Sequence, residues 1–222
     1  MSQPQNMQTV AVIGGTGKEG KGLAFRWAKA GRDVVIGSRD AGRAALAAQE
    51  IQSRLGGAAT IRGRTNFEAA GEAGIVALTV PYAAHRETLE SIRPAMHGKI
   101  LIDATVPLVP GKVAQAHMPP AGSAAQEARE VLGDGTEVAA AFHSISHEVL
   151  LEDGSADCDV LVTGTSRQVR EAALSLVAAA GLRGWDAGAL ANSAVTEGLA
   201  SVLIHINKAY GSKHAGIRIT GI

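Results

Sequence analysis

The sequence predicts an α/β fold with a doubly wound, mostly parallel sheet, followed by a small C-terminal α/β part. Near the start of the chain, an apolar strand pattern runs directly into a glycine-rich turn and a helix pattern. Strand and helix patterns then alternate along the chain, which is typical of β-α-β units. The segment 75–80 is apolar except for Thr79, as expected of a parallel strand that is buried on both faces.

The glycine-rich turn has the spacing GxGxxG, formed by Gly15, Gly17 and Gly20. Between a strand and a helix, this motif is the fingerprint of dinucleotide binding and of the Rossmann fold. The first glycine allows a tight turn, the second lets the backbone approach a pyrophosphate, and the third lets helix and strand pack closely. The helix N-terminus offers free N–H groups to the phosphates. We therefore predict that these glycines, with Lys18 and Glu19 between them, bind the cofactor.

The end of the second strand indicates which dinucleotide is bound. In NAD-binding units, an acidic residue about twenty positions after the glycines binds the ribose 2′-hydroxyl. Here Ser38 stands at that place, followed by Arg39 and, one helical turn later, by Arg43. Because guanidinium groups bind phosphate through paired hydrogen bonds, the pattern favours NADP over NAD. We expect Asp40 to cap the next helix. The alternative is that both arginines are solvated surface charges.

The remaining elements follow from apolar periodicity and turn residues. Predicted strands cover residues 9–13, 33–37, 60–62, 75–80, 100–104, 138–142, 160–163 and 183–186. Predicted helices cover residues 18–30, 41–55, 67–72, 123–133, 168–180 and 194–210. The segment 144–159 is polar and has no clear period. We divide the chain into a Rossmann domain, residues 1–150, and a C-terminal part, residues 151–222.

The last predicted helix carries a stretch, residues 195–206, that is apolar on nearly all sides. A helix of this kind is buried, either in the core or against a second subunit. We therefore predict that the C-terminal part forms the interface of a homodimer through this helix.

Composition excludes several classes of protein and of site. The 222 residues carry no formal net charge and a single cysteine, Cys158. A chain without basic stretches is not expected to bind nucleic acid, and one cysteine excludes an internal disulfide or a cysteine-rich zinc site. The seven histidines have no metal-binding spacing, so no metal is expected. Because residues 1–8 lack a signal-peptide core and no segment is apolar enough to span a membrane, we expect a cytoplasmic protein.

Segments along nearly the whole chain resemble the NADPH-dependent coenzyme F420 reductase family, the F420:NADP oxidoreductases. The similar segments are GGTG at 14–17, GKGLA at 20–24, Val35 with GSR at 37–39, LTVP at 78–81, VPL at 106–108, HSI at 143–145, DAGAL at 186–190, NS at 192–193 and GI at 216–217. The glycine stretch is shared with many dinucleotide-binding proteins, whereas the segments at 143, 192 and 216 are more particular to this family. The resemblance implies hydride transfer between NADP(H) and the deazaflavin coenzyme F420.

The resemblance also implies roles for individual residues. For NADP it implies Thr16 and the glycines at the pyrophosphate, Ser38, Arg39 and Arg43 at the 2′-phosphate, and Thr79, Val80 and Pro81 beside the cofactor. His143 and Ile145 are implied as the catalytic residues beside the nicotinamide and the deazaflavin ring. Asn192 and Ser193 of the C-terminal part are implied in the wall of the acceptor cleft. One departure follows the fourth strand, where Tyr82 keeps the family's aromatic residue but His85 is displaced by one position.

Hydride transfer between these two coenzymes needs little from protein side chains. It requires orientation and exclusion of water rather than a strong acid or base, and the sequence contains no nucleophile motif. We interpret His143 either as a residue that positions the rings or handles a proton, or as a partly buried histidine bonded to backbone. Asp103 either approaches the cofactor or caps the turn after its strand.

Two other functions are open at this point. One is an NADPH-dependent reductase of FAD, FMN or ferric iron on the same scaffold, which binding of ordinary flavin without deazaflavin would indicate. The other is a non-enzymatic sensor, which tight NADP binding without hydride transfer to any flavin would indicate.

Overall fold

One eight-stranded β-sheet forms the centre of the computed structural model, which describes residues 9–152, 154 and 156–222. The strands are β1 (Thr9–Ile13), β2 (Asp33–Ser38), β3 (Ile61–Thr65), β4 (Ile75–Leu78), β5 (Ile100–Asp103), β6 (Glu137–Ala140), β7 (Asp159–Gly164) and β8 (Arg183–Ala189). The helices are α1 (Lys18–Lys29), α2 (Ala41–Arg54), α3 (Asn66–Glu72), α4 (His85–Ile92), α5 (Ala124–Leu132), α6 (His147–Leu151), α7 (Arg167–Ala179) and α8 (Ser193–Tyr210). Residues 1–8, in which the sequence shows no signal-peptide core, lie outside the described residues.

The strand order β3-β2-β1-β4-β5-β6-β7-β8 confirms the predicted doubly wound α/β fold. All neighbouring strands are parallel except β6 and β7, which are antiparallel. The order reverses at β1, because β2 and β3 lie on one side of it and β4, β5 and β6 lie on the other. In open α/β sheets, ligands bind at this switch point, outside the carboxyl ends of the strands.

Helices cover both faces of the sheet, as its continuously apolar strands require. In β1, Val10 and Val12 belong to the core cluster that contains side chains of α1, α2 and α7. Ala11 and Ile13 belong to the cluster on the opposite face, with side chains of α3, α4 and α5. Since all four of these β1 side chains are fully buried, the strand is held from both faces and its carboxyl end is fixed in place.

The sequence-based prediction missed two helices and misplaced the ends of several strands, by three residues at β3 and β8. The helix α4 has eight residues, and its buried face includes the polar His85, which obscures the apolar period. The helix α6 has five residues and lies within the segment 144–159, too short for a period to be visible. The strand β3 extends further than predicted, and α3 begins at once after it, because Thr65 and Glu68 form a capping box.

The C-terminal part continues the sheet through β7 and β8. Its Val160 and Val162 lie in the same core cluster as Val10 of β1, so the two parts of the chain share one core. Within the single chain, the core covers α8 on only part of its surface, because Val195, Val202 and Tyr210 are 68%, 50% and 81% exposed. Burial of this face against a second subunit stays a prediction. Over the residues that the structure describes, no helix combines the length and the apolarity needed to cross a membrane.

Candidate cofactor and substrate site

The turn between β1 and α1 lies at the switch point, and its first two glycines leave no room for a side chain. Gly14 adopts a φ of +75°, and a Cβ on it would lie 2.7 Å from Val80 Cγ1. The left-handed residue is therefore Gly14, whereas the sequence analysis assigned the tight turn to Gly15. A Cβ on Gly15 would lie 2.7 Å from the carbonyl oxygen of Val12, to which the Gly15 N–H donates. Both positions consequently require glycine.

The other two glycines of the motif bring α1 close to the sheet and leave its first turn open. A Cβ on Gly20 would lie 2.6 Å from Thr79 Oγ1, so α1 packs directly on the end of β4. At Gly17 a Cβ would meet the Gly14 carbonyl oxygen at 3.4 Å and no other heavy atom within 4 Å. Gly17 is also the N-cap of α1 and makes no side-chain cap bond, so the first helical N–H groups remain available. This positively polarised helix end fits a pyrophosphate.

The end of β2 presents the residues predicted for the 2′-phosphate. Ser38 is buried and its neighbours Arg39 and Arg43 are exposed, and all three line one cavity. Within the described part of the chain, no carboxylate forms an ion pair with either guanidinium group. Asp40 Oδ1 accepts hydrogen bonds from Gly42 N at 2.8 Å and from Arg43 N at 3.2 Å, which confirms its predicted role as the cap of α2. The carboxylate is thus bound to the helix backbone, and the guanidinium groups can bind an anion.

The same cavity collects most of the residues predicted to bind NADP. It is lined by Gly14, Thr16, Gly17, Ser38, Arg39, Asp40, Arg43, Asn66, Thr79, Val80, Pro81, Ala84 and Thr88. Thr79 Oγ1 donates to the Ile13 carbonyl oxygen at 2.9 Å, which ties the end of β4 to the end of β1 below the glycine turn. Gly15 and Gly20 pack beneath this cavity, and Lys18 and Glu19 line the next one.

Asn66 is a residue of this cavity that the sequence analysis missed. It is the first residue of α3 and is buried, and its Oδ1 has no hydrogen-bond partner within the described residues. A Cβ on Gly37 would lie 3.0 Å from that oxygen, so the amide is next to the end of β2. A buried polar atom without a partner costs free energy, and a hydroxyl of a bound nucleotide would satisfy it. The signal in the sequence is the capping box of Thr65 and Glu68, which fixes the start of α3 at this edge of the sheet.

A second cleft, with a volume of about 580 Å³, opens on the other side of the α1 N-terminus. Its lining consists of Lys18, Glu19, Val106, Leu108, His143, Ser144, Ile145, Ser146, His147, Glu148, Ala200, Leu203, Ile204, Asn207, Ser212, Lys213 and Ala215. The predicted catalytic residues His143 and Ile145 therefore lie in one cleft with Lys18 and Glu19. Since Gly17 lines the first cavity and Lys18 the second, ligands in the two cavities would adjoin at this helix end.

His143 reaches the cleft from a strained turn at the end of β6. Phe142 has a φ of +74°, which is unusual for a bulky residue, and its buried ring meets Trp27 edge-on at 5.9 Å. His143 Nε2 lies 3.1 Å from the Asp103 carbonyl oxygen. Because a carbonyl only accepts, Nε2 carries the proton and Nδ1 is an acceptor. Burial, against the attraction of the Asp103 charge, lowers the pKa of His143 to about 4. The ring is thus neutral at pH 7 and bonded to backbone while it lines the cleft.

A fully buried pair, His85 and Asp103, lies behind His143. His85 Nε2 is 2.7 Å from Asp103 Oδ2, and both side chains are 0% exposed. Burial opposes both charges, but their mutual attraction raises the pKa of His85 and, with the Thr105 N–H bond to Asp103, lowers the pKa of Asp103. Asp103 therefore caps the next turn through Thr105 N at 2.9 Å, one of its two predicted roles. It also holds two histidines, one through its carboxylate and one through its carbonyl.

Glu19 is in the first turn of α1, next to the helix N-terminus predicted to bind phosphate, and it lines the second cleft. It is partly exposed where it faces the cleft. The protein packed around it, together with the charge of Asp103, raises the pKa of its carboxyl to about 8. At pH 7 Glu19 is mostly protonated, so it does not repel an anionic cofactor.

The structure does not bring Asn192 and Ser193 into the lining of the cleft. Asn192 Nδ2 donates to the Ala187 carbonyl oxygen at 2.7 Å. Ser193 is fully buried, and its Oγ lies 2.6 Å from Ser123 Oγ at the start of α5. The same helix α8 lines the cleft further along, through Ala200, Leu203, Ile204 and Asn207. The NS segment thus fixes the start of the helix, and the wall of the cleft comes from its later turns.

Comparisons with known proteins agree with this geometry. The profile of the family described as NADP oxidoreductase coenzyme F420-dependent matches residues 9–107. The F420-dependent NADP reductase of Methanothermobacter marburgensis is 44% identical, covering 96% of this chain and 98% of that protein. The protein of the same name from Methanocaldococcus jannaschii is 37% identical, again covering 96% of this chain and 98% of that protein. A solved structure of a proposed F420-dependent NADP reductase from Arthrobacter sp. FB24 has a TM-score of 0.81 at 22% identity, covering 96% of this chain and 99% of that one. With relatives this similar along almost its whole length, the chain belongs to the family of F420-dependent NADP reductases.

Proposed function

We infer that the protein is an enzyme that transfers a hydride between NADP(H) and coenzyme F420. The relatives that share 37–44% of its residues carry the name of that activity. The observation that carries the inference is the pair of adjoining cavities at the α1 N-terminus, one with two arginines and a serine and the other with an apolar wall. Such a pair suits two coenzymes whose reactive rings must meet.

The first cavity offers a partner for each charged part of NADP. We propose that the first N–H groups of α1 and Thr16 bind the pyrophosphate, since an open helix N-terminus favours anions. Ser38, Arg39 and Arg43 bind the 2′-phosphate, because guanidinium groups match phosphate geometry. The residues that border the rest of the cofactor are Thr79, Val80, Pro81 and, through its unpartnered Oδ1, Asn66.

The second cleft orients the acceptor and excludes water. The nicotinamide supplies or accepts the hydride, and the deazaflavin does the reverse, so both electrons and the hydrogen move together. Ile145 and the α8 residues Ala200, Leu203 and Ile204 give the cleft an apolar wall that suits a flat ring. His143 remains neutral at pH 7 and presents Nδ1 as an acceptor. We propose that it orients a ring by this hydrogen bond and does not act as an acid.

Anaerobic mixing of the purified protein with NADPH and oxidised F420 tests the function directly. We expect the visible absorbance of the deazaflavin to bleach rapidly with NADPH and much more slowly with NADH, because Arg39 and Arg43 have a 2′-phosphate to bind in NADPH alone. NADPH binding without bleaching would contradict the acceptor. The same mixing with FAD, FMN and ferric iron would then separate a flavin or ferric reductase from a sensor.

We also propose that two copies associate through α8. Its exposed apolar residues are Val195, Val202, Ile206 and Tyr210, with the half-buried Leu199 between them. The spacing of three and four positions puts all five on one face of the helix. Exposed apolar faces of this length mark interaction surfaces in folded proteins, and a second copy of the chain has the matching face.

Placing a charge in this face is expected to separate the two copies. Val202→Glu would bury a carboxylate at the centre of the interface, which is costly without a partner. Light scattering coupled to size-exclusion chromatography should give a dimer mass for the original protein and a monomer mass for Val202→Glu. The matched control Lys208→Glu, outside the apolar stripe, should remain a dimer. A monomer mass for the original protein at working concentration would contradict the proposal.

We further propose that the enzyme works in the cytoplasm on small molecules and not on nucleic acid. Support comes from the single cysteine, the balanced charge and the expected need for NADP(H).

A further inference from the structure

The chain after α8 folds back along the second cleft and is tied to the body of the protein. We call residues 211–219 the C-terminal segment. Asn207 of α8 holds its first half, because its carbonyl oxygen accepts from Ser212 N and its Oδ1 accepts from Ala215 N, both at 2.9 Å. Ser212 and Ala215 line the cleft, as does Lys213 between them.

The second half of the C-terminal segment is held by Asp159 at the start of β7. The Asp159 N–H donates to the Ile217 carbonyl oxygen, and its Oδ2 accepts from Ile219 N, both at 2.8 Å. Next to these bonds, a Cβ on Gly216 would lie 2.5 Å from Cys158 Cβ, so the backbone is in close contact with the residue that precedes β7. These anchors at both ends place Lys213 at the edge of the cleft.

Lys213 faces an acidic residue across the mouth of the cleft. Its Nζ lies 3.8 Å from Oε1 of Glu148 on α6, and the two side chains are 74% and 37% exposed. An exposed ion pair at this distance contributes little to stability. An anion that enters the cleft can therefore replace Glu148 as the partner of Lys213. Among the described lining residues the other lysine is Lys18, which lies at the α1 N-terminus on the NADP side.

We propose that Lys213 binds the anionic side chain of the acceptor, in exchange for Glu148. This inference rests on the proposed function, since F420 carries a phosphodiester and glutamate carboxylates on its deazaflavin ring. If the ring lay against the apolar wall formed by Ile145 and Leu203, the side chain would leave through the mouth of the cleft. Lys213 gives that mouth a positive charge. An anion that binds Lys213 must displace the carboxylate of Glu148.

The two residues then have opposite effects on one ligand. Removing the ammonium of Lys213 removes an attraction, whereas neutralising Glu148 frees the same ammonium. An exposed charge pair changes an equilibrium by roughly twofold to fivefold, and the effect decreases as salt screens it. Neither effect applies to a deazaflavin that lacks the phosphate and the glutamates.

Calorimetric titration of the variants with F420 and with the deazaflavin ribityl compound that lacks phosphate and glutamates tests the proposal. We expect Lys213→Ala to raise the Kd for F420 about threefold relative to its effect on the tail-less compound. Glu148→Gln should lower the Kd for F420 about twofold relative to its effect on the tail-less compound. Both changes should disappear near 0.5 M salt, where the Debye length falls to roughly 4 Å. Lys208→Ala, an equal change of charge outside the cleft, should leave the ratio of the two Kd values as it is.

Equal effects of Lys213→Ala on the two ligands would overturn the proposal, as would shifts of the same sign in both variants. Hydride transfer from NADPH to each compound, measured in parallel, separates this failure from failure of the proposed function. Reduction of the tail-less compound with no selective effect of either variant leaves the function intact and removes Lys213 from it. Absence of reduction and of binding for both compounds would instead contradict the function.

Discussion

Replacing His85 by alanine is expected to lower the free energy of unfolding by about 3–5 kcal/mol, the range found when one partner of a buried ion pair is removed. Asp103 is 0% exposed, and its carboxylate is 2.7 Å from the imidazole of His85. Without the imidazole, the carboxylate keeps the Thr105 N–H bond but loses its positive partner. The lost volume adds to the cost, because His85 packs within the buried face of α4.

The contribution of the pair depends on pH in a direction that follows from the two shifts. The pKa of His85 is raised above its ordinary 6.5, so its contribution is complete below that value and is lost as pH rises through the folded-state pKa. The pKa of Asp103 is lowered below its ordinary 3.8, so its contribution is complete above that value and is lost as pH falls through the folded-state pKa. The difference between the original protein and His85→Ala should therefore be largest between pH 3.8 and 6.5.

Denaturant unfolding followed by circular dichroism at several pH values measures this difference. The exposed His205 on α8 supplies the matched control, and His205→Ala should change the free energy of unfolding by less than about 0.5 kcal/mol. A loss below about 1 kcal/mol for His85→Ala, or a loss independent of pH, would contradict the buried pair. Asp103→Asn should cost less than His85→Ala, since it leaves no buried charge, although its single amide oxygen can accept from His85 Nε2 or from Thr105 N but not from both.

The sequence predicts the residues that line the first cavity better than those that line the second cleft, for a physical reason. The glycine turn and the end of β2 are local features, so their spacing along the chain is enough to place Gly20 and Arg39. The second cleft is assembled from α6, α8 and the C-terminal segment, together with residues at the start of α1 and after β6, which are distant in sequence. No local sequence pattern indicates that Ser193 is fully buried against Ser123. Nor does one indicate that Lys213 faces Glu148.

The buried pair of His85 and Asp103 could not be predicted from the sequence, for a related reason. His85 in α4 and Asp103 in β5 are 18 positions apart in the chain. No sequence pattern between them indicates that the two side chains are in contact. His85 is the first residue of α4, and this helix start directs its side chain to Asp103. The strained Phe142 is likewise invisible in the sequence, because a left-handed backbone is forecast from glycine or asparagine and not from phenylalanine.

Changing Arg39 to aspartate is expected to weaken NADPH binding by about 30- to 150-fold relative to NADH. The loss of a charge-assisted, paired hydrogen bond to the 2′-phosphate corresponds to about 2–3 kcal/mol, and each 1.4 kcal/mol is about tenfold in Kd. The new carboxylate would also repel the phosphate while it can accept a bond from the 2′-hydroxyl of NADH. We therefore expect position 39, directly after β2, to contribute most to the preference between NADP and NAD.

Fluorescence titration of both nucleotides with Arg39→Asp measures the ratio of the two Kd values. Arg93→Asp, at an exposed position after α4 that lies outside the cavity lining, makes the same change of charge and should leave the ratio unaltered. Arg43→Ala should give a smaller shift in the same direction if both guanidinium groups bind the phosphate. An equal loss for NADPH and NADH in Arg39→Asp would mean that Arg39 is a solvated surface charge, and the selectivity would then have to come from Ser38 and Arg43.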